Sequence, residues 1–396
     1  MKVLPAFERR RDMVDFSLTD ADKKIAALAR DEAEIGRTYS RYYDKHEDEI
    51  EPKVFPEVKD LPDPLEMLDA IEAETSGRVI VEHLVTMETA RGDVRMRRIK
   101  KHLGDKIVRY AGNDEQRKLF GNKLLSIALT EPGAGSDPSM IRGSARYDEA
   151  TDEWILNAEK IYCSAFGASD GALVLVRGPE KNGARPFMGF VIEKGMKGLT
   201  ELGQVKKMGI RSWDTADFVL QDCRVPSINK IDVDFKKTMI VFNGTRPGVA
   251  AMGLAVAGSL LEFTREKLLG KEQVLDYAKG IRARSAVEDR LIRMEALYEA
   301  TSLTILRCKW LEHVGGTNSG ATKVEAAMSK ALGGKAARKI TQGCMELLGP
   351  EGLSEEYLAE KWFRDARIFD IFEGAGDVNR LIVARSLLNY SQKELN

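Results

Sequence analysis

Cysteine and histidine are scarce in this sequence, and the few that are present lie far apart. The 396 residues include four cysteines and four histidines, and no CxxC pair occurs. They are Cys163, Cys223, Cys308 and Cys344, and His46, His83, His102 and His313. Such a distribution favours neither a disulfide framework nor a zinc site, and it gives no support to a serine–histidine triad. We therefore expect no metal site.

The sequence also lacks an excess of charge of either sign. It has 61 basic and 62 acidic residues, a formal net charge of -1, which gives no general attraction towards nucleic acid or an anionic membrane. Residues 1–22 carry charges throughout and contain no apolar core of a signal peptide. No later apolar run approaches the length of a membrane span. We expect a cytoplasmic protein without a membrane span.

Two common nucleotide-binding fingerprints are missing as well. No Gly-x-Gly-x-x-Gly follows a strand-like run, and no Gly-Lys-Ser/Thr marks a P-loop. The chain is nevertheless long enough for two or three domains, and 43% of its residues are hydrophobic. The sequence therefore predicts a globular protein whose chemistry comes from other motifs.

The spacing of apolar residues divides the chain into three parts. Helical spacing dominates the first part, where we expect Ser17 to cap the first helix. From Leu124, short apolar or β-branched runs alternate with turn residues, and after Asp232 the helical spacing returns. We predict an N-terminal α-helical domain at 1–123, a middle β domain at 124–232 and a C-terminal α-helical domain at 233–396.

Individual elements follow from the same patterns. The predicted strands cover 124–129, 154–156, 172–176, 187–192 and 218–220, with a hairpin formed by 145–147 and 153–156. The predicted C-terminal helices cover 248–268, 284–313, 322–347 and 377–390. The first of these helices would place Arg246 at its start, where a cation opposes the helix dipole. A functional reason for this arginine is therefore favoured.

One acidic residue stands at the end of an apolar run near the C-terminus. Residues 364–380 read R-D-A-R-I-F-D-I-F-E-G-A-G-D-V-N-R, so that Glu373 precedes a glycine-rich turn and a new helix. Glycines allow a sharp backbone turn at this point. If the turn shields the acid from water, the proton affinity of the acid rises. Glu373 is therefore our first candidate for chemistry.

Two further motifs suit a flat, acceptor-rich ring. Residues 128–137 read A-L-T-E-P-G-A-G-S-D, and a strand that enters such a turn presents successive backbone N–H groups and hydroxyls. Residues 160–164 read K-I-Y-C-S, in which the Tyr162 ring could cover one face of such a ring and the Ser164 hydroxyl could hydrogen-bond to its edge.

These motifs, together with the α–β–α order, resemble the acyl-CoA dehydrogenase family over nearly the whole chain. The resemblance implies an α+β fold with an N-terminal helical domain, a middle β-barrel-like domain and a C-terminal helical bundle. It also implies FAD as the cofactor and an acyl-CoA thioester as the substrate. Glu373 falls on the glutamate that is catalytic in that family.

The resemblance assigns binding residues to both ligands. Leu129 and Thr130 would contact the pyrimidine end of FAD, and Ser136 would lie between the flavin phosphates and the bound thioester. The other positions assigned to FAD are Gly135, Tyr162, Ser164, Lys279, Arg282, Arg290, Glu346, Gly349, Ala375 and Asp377. The positions assigned to acyl-CoA are Ser136, Asn243, Arg246 and Gly374, with Arg246 close to the CoA arm.

Two segments depart from the family pattern. Residues 279–284 and then Arg290 replace the family's R-x-x-F-G followed by Gln, which clamps the FAD of a neighbouring subunit. Glu346 stands where the family has a Gln before its glycine turn. Because a cation can neutralise the FAD pyrophosphate, we expect a homotetramer whose contact between subunits is mainly electrostatic. The alternative is a heteromer in which a related chain supplies the missing clamp.

The expected reaction is α,β-dehydrogenation of an acyl-CoA to the 2-enoyl-CoA. By resemblance, Glu373 takes the α-proton, flavin N5 takes the β-hydride, and an electron-transferring flavoprotein is the acceptor. The alternatives are an acyl-CoA oxidase or a flavin monooxygenase on the same fold, and a non-catalytic flavin-bearing binding protein. Retention of Glu373 disfavours the monooxygenase, and Glu373 together with the turn at 128–137 disfavours the binding protein.

Overall fold

The first part of the chain is helical in the computed structural model, which describes residues 17–49, 78–94, 102–271, 273–315 and 322–390. Its helices are α1 (Asp20–Lys45), α2 (Arg78–Gly92), α3 (Leu103–Ala111) and α4 (Asp114–Phe120). Thr19, rather than the expected Ser17, caps α1, because its hydroxyl accepts from the amide of Asp22 while the Asp22 carboxylate accepts from the amide of Thr19. Residues 1–16 lie outside the described part.

The middle part is an eight-stranded mixed sheet. Its strands are β1 (Leu125–Ala128), β2 (Ser144–Asp148), β3 (Glu153–Ser164), β4 (Gly171–Arg177), β5 (Phe187–Glu193), β6 (Leu199–Gln204), β7 (Thr215–Pro226) and β8 (Lys230–Ile231). They are ordered β6-β7-β3-β2-β4-β5-β8, and β1 pairs in parallel with β4. Phe166, Phe190 and Phe218 are fully buried in the core between these strands.

The predicted hairpin is confirmed, since β2 pairs antiparallel with β3 and Ala145 stands opposite Leu156. Sequence periodicity missed β6 and β8. The reason for β6 is that it is an edge strand paired with β7 alone, and four of its six residues are exposed. It therefore lacks the alternation of apolar and polar residues by which a strand is recognised in a sequence. Strand β8 has only two residues, too few for any pattern.

The last part returns to helices around a long central one. They are α5 (Phe235–Leu269), α6 (Ala286–Gly315), α7 (Lys323–Leu348), α8 (Ala359–Ala366) and α9 (Gly376–Leu388). Small residues bring α5 and α7 close together: a Cβ added to Gly333 would lie 2.6 Å from the Cβ of Ala250. With the sheet, these helices confirm the α+β fold.

The prediction that Arg246 opens a helix is wrong. Helix α5 begins at Phe235, where the Asp234 carboxylate accepts from the Lys237 amide at 2.7 Å, and it continues through Pro247. A proline inside a helix removes one backbone hydrogen bond, but the tight packing of Ala250, Leu254 and the rest of this apolar helix outweighs that loss. Arg246 therefore lies more than two turns inside α5.

Helix α5 is also the one helix in the described part that is long and apolar enough to cross a membrane. Its most apolar window has a mean hydropathy of 1.3, so the expectation that no apolar run approaches this length was too strict. Yet 78% of that window is buried inside the protein. This burial is what a core helix shows.

A buried network of charges joins the three parts of the chain. The ammonium of Lys361 on α8 lies 2.8 Å from a carboxylate oxygen of Asp93, just after α2, and 2.6 Å from Asp365. The Asp365 carboxylate also accepts from the amide of Ile210, in the loop between β6 and β7. The network thus fixes α8 against both other parts immediately before the segment that carries Glu373.

Candidate active site

Glu373 lies on a tight turn between a short 3-10 helix, Ile368–Asp370, and α9. Its backbone is left-handed, with φ of +54°, and Gly374 follows at +99°. A left-handed glutamate is uncommon, because its Cβ crowds the backbone. Such strain persists only where the surroundings hold it, and it is typical of functional sites.

The Glu373 carboxylate is partly buried and touches one hydroxyl. Its Oε2 accepts from Thr245 Oγ1 at 2.8 Å. Burial raises the pKa of Glu373 above its usual range, and the hydrogen bond from Thr245 opposes that rise. The charges of Lys330, Lys106 and Arg246 also oppose it. The residue is therefore a stronger base than an ordinary glutamate.

Two buried cations lie behind the turn and hold its backbone carbonyls. Arg246 Nε donates to the Glu373 carbonyl at 3.2 Å, and Arg246 Nη1 donates to Asn243 Oδ1 at 2.7 Å. Lys330 Nζ donates to the Gly374 carbonyl at 3.2 Å, and Asn379 Nδ2 donates to the same oxygen at 2.7 Å. Burial lowers the pKa of Arg246, and it lowers that of Lys330 to about 8.

A buried ion pair fixes the turn at 128–137 and joins the two sequence motifs at 128–137 and 160–164. Lys160 Nζ lies 2.6 Å from Glu131 Oε1 and 3.1 Å from the Leu129 carbonyl. Glu131 also accepts from the amides of Arg142 and Gly143. The pKa of Lys160 is lowered by burial, although Glu131 opposes this. The acid and the lysine of the two motifs therefore serve to shape the turn.

The upper surface of this turn is open. Gly135 and Ser136 are exposed, and a Cβ added at Gly133 or Gly135 would meet nothing within 4 Å. Leu129 and Thr130 are partly buried at its base, where the Thr130 carbonyl accepts from the amide of Ile161. Backbone and hydroxyl groups are thus presented towards free space.

Tyr162 and Ser164 end β3 beside that surface. Tyr162 has φ of +56° and is 59% exposed, and its amide donates to Asp217 Oδ1 at 2.7 Å. Ser164 is partly buried. A large aromatic ring held out by a strained backbone, next to an open glycine turn, has no partner within the described chain that explains its position. The turn and this ring therefore fit a planar cofactor.

A chain of contacts connects this surface to the Glu373 turn. The amide of Ala165, next to Ser164, donates to the Asp214 carbonyl at 2.8 Å. Trp213 packs on the apolar core of the C-terminal helices, and Ile210 donates to Asp365. The loop between β6 and β7 therefore contacts both the end of β3, beside the proposed cofactor surface, and the helix before Glu373.

Two of the residues at which the sequence departs from the family pattern lie together in a separate region. Arg290 and Glu346, the two departures from the family pattern, form an ion pair with each other, and Gln342 donates to Glu346 at 3.0 Å. They line a groove of about 660 Å³ that carries a marked excess of cations. Its lining residues are Arg290, Arg293, Met294, Arg338, Lys339, Gln342, Gly343, Glu346, Phe363 and Arg367.

The other predicted binding residues do not line this groove. Lys279 pairs with Glu288 at 2.9 Å, whereas Arg282 is exposed. Gly349 has φ of +57°, and a Cβ there would meet nothing within 4 Å. Ala375 is the N-cap of α9, and the exposed Asp377 in its first turn pairs with Arg380.

Sequence reasoning missed Thr245, Lys330 and Asn379, which hold the Glu373 turn. Thr245 lies between Asn243 and Arg246, and Asn379 lies within the segment 364–380, but only their neighbours were given roles. Lys330 and Asn379 occupy otherwise apolar or small-residue helix faces, so a buried polar residue at each position was the available signal. Their partners lie 44 and 5 residues away, and spacing alone does not reveal such contacts.

Comparison with known proteins agrees with this geometry. The family model for the acyl-CoA dehydrogenase middle domain matches residues 126–223, and the model for the C-terminal domain of the same family matches residues 235–388. Butyryl-CoA dehydrogenase from Megasphaera elsdenii has a similar structure, with a TM-score of 0.77 and 26% identity. The match covers 95% of this chain and 100% of that one.

Two sequence relatives illustrate the range of the family. An acryloyl-CoA reductase (NADH) from Anaerotignum propionicum is 28% identical over 70% of this chain and 71% of its own length. The human mitochondrial very long-chain specific acyl-CoA dehydrogenase is 32% identical over 70% of this chain. The match spans 42% of that relative's length. On the two domain models, which together match more than half of the chain, this protein belongs to the acyl-CoA dehydrogenase family.

Proposed function

We propose that this protein is an FAD-dependent acyl-CoA dehydrogenase in which Glu373 removes the α-proton of an acyl-CoA thioester. The observation that carries the proposal is the state of the Glu373 carboxylate, which is partly buried, has a raised pKa and accepts a hydrogen bond from Thr245. An ordinary glutamate, with a pKa of about 4.3, would be a feeble base for a carbon acid. A desolvated one is better matched to the task.

The same turn can stabilise the negative charge that develops on the thioester oxygen. Within the described part of the chain, the Glu373 amide donates to no acceptor. A fixed N–H group close to the base is the kind of donor that lowers the energy of an enolate. Arg246 and Lys330 hold the two carbonyls that follow this amide, those of Glu373 and Gly374, so the turn that carries it is fixed before substrate binds.

The ring system of FAD would be held at the glycine turn and at the end of β3, by Leu129, Thr130, Gly135, Ser136, Tyr162 and Ser164. The support for this is the open surface of the turn. FAD supplies the acceptor for the hydride from the β-carbon. The partly buried Phe372, whose ring centroid is 5.6 Å from that of buried Phe369, would help to keep water away from the carboxylate. Asn243 and Ser136 remain our candidates for contact with the acyl-CoA.

The reverse reaction is the second candidate, because one relative is named as an acryloyl-CoA reductase. A carboxyl group with a raised pKa can return a proton to the α-carbon as readily as it removes one. The direction would then depend on the electron partner. For dehydrogenation we propose an electron-transferring flavoprotein in that role.

For assembly we propose a homotetramer in which the cationic groove around Arg290 faces the FAD of a neighbouring copy. The support is the excess of arginine and lysine along the groove, which suits a pyrophosphate. A heteromer with a related chain remains the competing proposal. Protein expressed alone that is flavin-poor, and gains FAD only with a second chain, would favour the heteromer.

The reaction is tested with Glu373→Gln. The amide keeps the shape of the side chain but cannot accept the α-proton, so we expect turnover to fall by about three to five orders of magnitude while FAD and acyl-CoA still bind. Anaerobic bleaching of the flavin absorbance by a panel of acyl-CoAs measures this. Exposed Glu356→Gln is the matched control. Near-normal bleaching in Glu373→Gln would reject Glu373 as the base.

A further inference from the structure

Lys330 is a lysine with no exposed surface, on a helix that the proposed mechanism does not otherwise use. Lysine is almost never fully buried unless a carboxylate pairs with it. Here the ammonium forms no ion pair within 4 Å among the described residues and donates instead to the carbonyl of Gly374. A charge placed this way contributes little to folding, so its position needs another explanation.

The acceptor of that hydrogen bond is the residue after Glu373. Glu373 and Gly374 are two consecutive left-handed residues, and both of their carbonyls are held by buried donors. Arg246 holds the first carbonyl, while Lys330 and Asn379 together hold the second. The turn is thus fixed at its backbone, and the Glu373 side chain is left free to meet Thr245 and a substrate.

We propose that Lys330 is a positioning residue for Glu373: its buried ammonium holds the Gly374 carbonyl, and its charge stabilises the ionised form of the Glu373 carboxylate. This inference rests on the proposed function of Glu373 as the base. Lys330 touches neither the carboxylate nor a reacting atom, so its effect acts through the turn and through the electric field.

Several charged groups surround Lys330 and set the size of that effect. Glu373 and Asp370 favour its ammonium form, whereas Arg246 on α5 opposes it. Asp370 is itself 3.8 Å from Arg338 on α7, and the charge of Lys106 on α3 lowers the pKa of Glu373. Because Arg246 and Lys106 keep their charges when Lys330 is replaced, only part of the field at Glu373 is removed.

The test replaces Lys330 by Met, which keeps the stem and removes the charge. We expect kcat to fall about 10- to 100-fold, since a small displacement of a catalytic group has effects of this size. We also expect the acid limb of the pH–rate profile to move to higher pH, because the carboxylate loses a nearby cation. Lys335→Met, at an exposed position on the same helix, should change neither.

A second variant separates position from charge. Lys330→Gln keeps a donor for the Gly374 carbonyl without the charge, so kcat should recover in part while the acid limb stays displaced. The charge state of Glu373 can also be read without turnover, from the carboxylic acid infrared band that Glu373→Gln lacks. In substrate-free protein this band should persist to higher pH in Lys330→Met than in the parent.

Three results would overturn the inference. They are an unchanged acid limb and infrared titration in both Lys330 variants, an unchanged kcat in Lys330→Met, and a loss of kcat that merely follows a lower unfolding temperature. Failure of the proposed function is distinguishable, because it would appear as normal turnover in Glu373→Gln. The infrared titration would still show whether Lys330 governs the charge of Glu373.

Discussion

Two lysines, Lys361 on α8 and Lys330 on α7, are both buried, yet their environments are opposite. Lys361 contacts two carboxylates, those of Asp93 and Asp365, at 2.8 and 2.6 Å. Burial alone would lower the pKa of Lys361, but these two charges outweigh it and raise the pKa. Lys330 donates to a single backbone carbonyl, that of Gly374, and burial lowers its pKa to about 8.

The difference separates a structural site from a functional one. Around Lys361, one ammonium lies between two carboxylates, and these contacts hold three parts of the chain together. Around Glu373 the charges are held by backbone carbonyls and a hydroxyl, so their mutual field remains available to the chemistry. Buried groups whose pKa values are shifted mainly by desolvation, as for Lys330 and Glu373, are typical of active sites.

The largest effect on stability should come from breaking the paired network. Replacing Lys361 by Met leaves Asp93 and Asp365 buried and facing each other without a cation, which we expect to lower the free energy of unfolding by about 3–5 kcal/mol. Urea denaturation measures this. Lys330→Met, which leaves no carboxylate in direct contact without a partner, is the matched control and should not destabilise. An equal loss of unfolding free energy in the two variants would contradict the distinction between a structural and a functional lysine.

A pH series should sharpen the same comparison. The pKa of Lys330 is about 8 when folded and 10.5 is its ordinary value, so the unfolded chain binds more protons between these limits. Stability then rises with pH across this window, by up to about 3 kcal/mol for a group buried to this degree. At pH 7, Lys330→Met should accordingly be at least as stable as the parent, despite one lost hydrogen bond.

The difference in unfolding free energy between the parent and Lys330→Met, measured from pH 7 to 11 at constant ionic strength, isolates this contribution. Other buried groups, such as Tyr298 with a pKa raised to about 12, are common to both proteins and cancel. For Lys361 the sign is reversed: because folding raises its pKa, its contribution is fully present below its ordinary pKa of 10.5 and begins to be lost as the pH rises above that value. A flat difference for Lys330 would show that its ammonium is not desolvated.

Local patterns predicted the order of elements and the two turns that carry the site. The glycine turn at 128–137 and the acid before Gly374 are visible because glycine and turn residues act over a few positions. The course of α5 was mispredicted for a physical reason: Pro247 is a local stop signal, and close packing with α7, which spacing does not show, overrides it. Long-range packing likewise decides which cations meet the Glu373 turn.

The smallest effect on folding should come from the exposed pair of Arg290 and Glu346, which contrasts with both buried sites. Their side chains are 41% and 51% exposed, so solvent screens the pair and it contributes little to the fold. Arg290→Gln should therefore leave the unfolding temperature unchanged. If the groove faces the FAD of a neighbouring copy, the same change should loosen FAD, and more so at high salt, where the remaining cations are screened.

Glu346→Gln removes an acid from the groove and should retain FAD at least as well as the parent. Flavin retained after ultrafiltration at low and high salt, with light scattering for the assembly, measures this, and Lys335→Gln is the control. Unchanged flavin retention in Arg290→Gln at both salt concentrations would contradict the role of the groove.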